Sequence, residues 1–109
     1  MRFKIINEGF SKEEKAQKIQ QELERQIKIY DNLDGRLQAK LFPYLKQISF
    51  LSVMLDEKRA YLTAHGTLDK QQSSKGIWVE KISPAQDSYR ELLIAYNEIQ
   101  EQIEELIHG

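Results

Sequence analysis

The side chains best suited to chemistry in this chain are two histidines, His65 and His108, and its carboxylates, and their spacing assembles no site. No cysteine is present to supply a thiolate, and no His-x3-His pair offers two imidazoles on one helical turn. No Ser/His/Asp grouping or phosphate-cradling glycine loop appears either. The carboxylates fall on what read as exposed helical faces. The expectation is a protein with no catalytic residues, no metal, no cofactor and no small-molecule substrate. Function must then come from surfaces, and from the elements that position them.

The composition fits one soluble helical domain. Of 109 residues, 40% are hydrophobic and 30% charged, a balance unlike that of a disordered chain. Without cysteines a reducing compartment suits the chain. No apolar run approaches a membrane span of roughly 18 residues. The opening MRFKIINEGF lacks the apolar core of a signal peptide, so a cytoplasmic location is expected. Net charge is −1, yet residues 1–60 carry 12 Lys/Arg against 9 Asp/Glu, and residues 61–109 carry 4 against 8. The halves therefore differ in sign, +3 against −4, which suits either drifting solvated faces or one basic face and one acidic end.

Residues 1–10 read as an extended arm carrying Phe3, Ile5 and Ile6. Ser11-Lys-Glu-Glu14 then matches a capping box and opens a helix over 12–31. Its apolar stripe is Ala16, Ile19, Leu23, Ile27 and Tyr30. Its other face carries Lys12, Lys15, Lys18, Arg25 and Lys28 among glutamates. Asp31-Asn-Leu-Asp-Gly35 is a turn, with Asp34 placed to cap a second helix.

That helix is expected over 36–64. Leu37, Leu41, Tyr44, Ile48, Leu51, Leu55 and Leu62 follow alternating steps of four and three, interrupted only by Lys58 on an expected apolar step, the spacing of helices packed at a shallow angle. Pro43 predicts a break or kink near 40–43, because it removes an intrahelical hydrogen bond. Phe42, Leu45, Phe50, Val53 and Met54 widen the apolar arc, so the helix is expected to be covered on more than one side. His65-Gly66 closes it, with His65 at the negative helix end.

Residues 67–82 read as a small β-hairpin or an ordered loop. Trp78 within it is a cap on the helices or an interface anchor. Stacking on a nucleic-acid base is the weaker alternative, because the loop holds no second aromatic. Ser83-Pro-Ala-Gln86 is the sharpest local signal: Ser as cap, Pro at the first helical position and Gln86 closing the box. The last helix, 84–107, carries Ala85, Tyr89, Leu92, Tyr96, Ile99, Ile103 and Leu106 as its seam. Glu101, Glu104 and Glu105 crowd its end against the helix dipole, which marks exposure or a partner surface. The predicted fold is mainly α: a three-helix antiparallel bundle with the hairpin between the last two helices. The two long seams leave apolar surface for another copy, so a homo-oligomer is expected.

The order Tyr44-Leu45, His65-Gly66, Ile77-Trp-Val-Glu-Lys81 and Ser83-Pro84-Ala85 resembles the layout of phage terminase small subunits, over roughly residues 40–106. Ser83 stands where that family has Asn, and the Gly-Leu-x-Pro ending of larger members is missing. The resemblance implies a non-enzymatic component of viral DNA packaging. Such proteins form rings in the bacterial host cell and engage DNA and the large terminase subunit. It would make Lys12, Lys15, Lys18, Arg25, Lys28, Lys70, Lys75 and Lys81 phosphate contacts, and Trp78, Glu101, Glu104 and Glu105 a protein interface. The rival expectation is a small helical interaction module, such as an inhibitor, antitoxin or immunity-type protein, with no nucleic-acid role.

Overall fold

The computed structural model describes residues 10–66, 68–72, 76 and 78–109. Three helices form the body: α1 (Lys12–Ile29), α2 (Gly35–His65) and α3 (Pro84–His108). Two five-residue strands, β1 (Leu68–Gln72) and β2 (Trp78–Ile82), pair antiparallel between α2 and α3, with Leu68 opposite Ile82 and Gln72 opposite Trp78. The expectations for the arm at 1–9 and for the side chain of Trp78 lie outside the described residues.

Each helix starts where a polar side chain satisfies its first free N–H groups. Ser11 accepts from the Glu14 N–H while the Glu14 carboxylate accepts from the Ser11 N–H, a complete capping box. Asp34 accepts from the N–H groups of Arg36 and Leu37. The buried Ser83 hydroxyl accepts from the Gln86 N–H at 3.1 Å, and Pro84 follows in the first turn. Gln86 does not return a bond, so only half of the expected box forms there. At the far end of α2, Gly66 adopts φ 82°, a left-handed conformation costly for any side chain, and its N–H donates to the Leu62 carbonyl. His65 ends α2 and stacks on Tyr61, with ring centroids 4.3 Å apart.

α2 is the central element and packs against both α1 and α3. It is continuous from Gly35 to His65 with Pro43 inside it, so of the break or kink expected near 40–43 the break does not occur. Pro43 lacks the N–H that would reach the Ala39 carbonyl, and both residues lie on the exposed side, where water can take up that carbonyl. Leu41, Leu45 and Ile48 hold the helix together on its buried side.

Leu41, Leu45, Ile48 and Ile103 form the core, closed by Leu23 of α1 and Tyr30 just after it, Leu37 and Tyr44 of α2, and Tyr96, Ile99 and Leu106 of α3. Contacts of residues 41–48 with 99–107, and of Arg59 with Tyr89, run α2 and α3 antiparallel. The stripe of α1 differs from its expected position. Ile27 is exposed, whereas Gln26 is buried, its amide donating to Glu22 Oε2 at 2.9 Å. The buried line is therefore Ile19, Leu23, Gln26 and Tyr30, still at steps of four and three. Among the described residues no helix is long and apolar enough to cross a membrane.

Candidate functional site

α2 is apolar around more of its circumference than α1 and α3 together cover. Phe50 is 49% exposed, and Phe42 is also exposed. Beside Phe50 runs an open groove of about 490 Å³ between α2 and α3. Its apolar lining is Pro43, Phe50 and Leu51 from α2 and Ala95 and Ile99 from α3, and no residue of α1 takes part. Each helix adds one charged residue, Lys46 from α2 and Glu98 from α3. Both are exposed, and neither forms an ion pair among the described residues. The Lys46 ammonium sits 5.2 Å from the centre of the Phe42 ring. An apolar trough with a cation on one side and an anion on the other suits an amphipathic helix better than a small polar substrate.

The basic residues expected to contact phosphate are distributed differently. Arg25 is held by Glu22 through two hydrogen bonds of 3.0 and 2.6 Å. That pairing raises the guanidinium pKa above its ordinary value, with the Glu22 hydrogen bond as the main cause. Lys15 lies 3.5 Å from the Glu57 carboxylate, and Lys18 stands 4.8 Å from the centre of the Phe10 ring. Lys12 and Lys28 are exposed and outside any ion pair among the described residues. They lie near opposite ends of α1, about 24 Å apart along the axis. Lys70 is in β1, with Glu80 as its register partner, and Lys81 is in β2 opposite Asp69. Lys75 lies outside the described residues.

Glu101, Glu104 and Glu105 are exposed on the last turns of α3, around a shallow depression shared with His108 and Gly109. No group of three or more metal-ligating side chains is assembled among the described residues. Arg59 lies against Tyr89 across α2 and α3, its pKa raised chiefly by the bond to the Tyr89 hydroxyl at 3.4 Å.

The groove was only partly visible in the sequence. The broad apolar arc of α2 predicts cover on more than one side, and the apolar surface of the two seams predicts a stripe left for another copy, but nothing in the spacing pairs Lys46 with Glu98. No protein-family model, curated protein or solved structure matches this chain.

Proposed function

We propose that this protein acts by association rather than by chemistry: it is a non-enzymatic helical module whose α2–α3 face engages a second helical surface. The observation that carries this reading is Phe50, half exposed over an apolar groove on the most apolar helix of the fold. Covering the exposed half of this ring would recover about 1 kcal/mol, half of what full burial of a phenylalanine gives. A photo-crosslinking phenylalanine analogue at position 50, irradiated in cells, tests it. A discrete covalent adduct identified as this chain or as one other protein supports the reading, provided the same probe at exposed Gln17 on α1 gives none. No adduct at position 50 overturns it.

The narrower reading is the phage packaging component that the resemblance implies, acting in the cytoplasm of a bacterial host. The antiparallel α2–α3 pair and the Ser83-Pro84-Ala85 helix start favour it. Lys12 and Lys28 are its best-placed phosphate contacts, being exposed and outside ion pairs among the described residues. Duplex DNA binding followed at two salt concentrations checks it. The packaging reading expects affinity that falls steeply with salt and weakens when both lysines are changed to glutamine. Absence of DNA binding at low salt removes the nucleic-acid role and leaves the module.

A further inference from the structure

We infer that the occupant of the α2–α3 groove is the same groove of a second copy, in a two-fold dimer with α2 of one chain lying over α3 of the other. This deepens the association reading and rests on it. The argument is charge complementarity. Lys46 and Glu98 line one groove from its two helices, and the register that sets Arg59 beside Tyr89 places them about one helical turn apart along it, within the reach of two long side chains. Two copies meeting face to face have their two-fold axis in the plane of contact. An axis across the helices sets α2 on α2, with Lys46 near Lys46 and Glu98 near Glu98. An axis along the helices sets α2 on the partner's α3. Each Lys46 then meets a Glu98 from the other chain, twice per dimer.

Both arrangements share one property. α2 and α3 are antiparallel within a chain. With either axis every neighbouring pair is antiparallel, the arrangement of an up-down four-helix bundle, so the charges alone choose the second. Phe50 of each copy is then set against the apolar residues Ala95 and Ile99 of the other. α1 lines no part of the groove, so it does not stand in the way.

Sedimentation equilibrium of the full chain and three variants tests the dimer. The wild type is expected to dimerise, more weakly as salt rises. K46E and E98K should each weaken it by ~10-fold or more, because each turns two attractive contacts into repulsive ones. Mixing K46E with E98K should restore dimers, since each chain then meets the opposite charge. F50E should abolish dimers while circular dichroism shows the helices intact. A wild type that stays monomeric at the highest soluble concentration overturns the inference. So does a dimer indifferent to both charge reversals. In either case a heterologous adduct at position 50 would leave the association reading standing, whereas no adduct would remove both.

Discussion

Glu57 of α2 reaches the start of α1 through one carboxylate oxygen. Its Oε2 accepts from the Phe10 N–H at 2.7 Å and lies 3.5 Å from the Lys15 ammonium. The carboxylate is largely sheltered, whereas Lys15 is about one-third exposed. The bond to the backbone therefore matters more than the ion pair. Glu57→Ala should cost about 1–2 kcal/mol in urea unfolding, since it leaves a part-buried N–H without its acceptor. Lys15→Ala should cost less than about 0.5 kcal/mol, because solvent screens its pair. Equal losses from the two would show that the ion pair, and not the backbone bond, fastens α1.

Acid should loosen α1 in a defined window. The Arg25 hydrogen bond, helped by the Gln26 amide, holds the Glu22 carboxyl below the usual carboxylate range despite partial burial. A lowered native pKa means that the unfolded chain takes up the proton first. The stabilisation is complete above the ordinary Glu value of about 4.3 and is lost as pH falls through the lower native value. Glu14 acts in the same sense, its carboxyl lowered chiefly by the Ser11 N–H. Glu22→Gln should flatten the decline of stability between about pH 5 and pH 3. An unchanged acid limb in that variant would assign acid sensitivity to other carboxylates.

The start of each helix was legible in the sequence because capping depends on residues only three apart. Ser11, Asp34 and Ser83 are all found as caps. The seams of α2 and α3 were legible for the same reason, since steps of four and three fix a face. The face of α1 was misjudged by one position. Ile27 and Gln26 are neighbours, and tertiary packing chose the polar one because Glu22 lies one turn away to accept its amide hydrogen. Of the break or kink expected near Pro43 the break does not form, because propensity assigns a cost without showing what offsets it. The groove escaped because it needs two helices, and the heights of Lys46 and Glu98 emerge only once those helices are docked.

Pro43 provides a direct measure of that offset. It sits inside α2, where a proline ordinarily costs ~3 kcal/mol. Pro43→Ala restores an N–H for the Ala39 carbonyl and should raise stability by about 1–2 kcal/mol, after allowing for the greater freedom of the unfolded chain. The comparison belongs at protein concentrations below any self-association, because Pro43 also lines the groove. A loss of stability would mean that ring contacts in the groove outweigh the missing hydrogen bond.

Ile103 and Ile94 lie nine residues apart on α3 in opposite environments. Ile103 is 1% exposed and belongs to the core with Leu41, Leu45 and Ile48, whereas Ile94 is 54% exposed. Truncating Ile103 removes apolar contacts on all sides and leaves a cavity that neighbouring helices only partly fill. Ile103→Ala should therefore cost about 2–4 kcal/mol. Ile94→Ala removes atoms already in contact with water and replaces a β-branched residue by the best helix former, so stability should change by less than about 0.5 kcal/mol. Urea unfolding of both variants at low protein concentration reads the difference directly. A cost at Ile94 that matches the cost at Ile103 would mean that this face of α3 is covered even in the isolated chain.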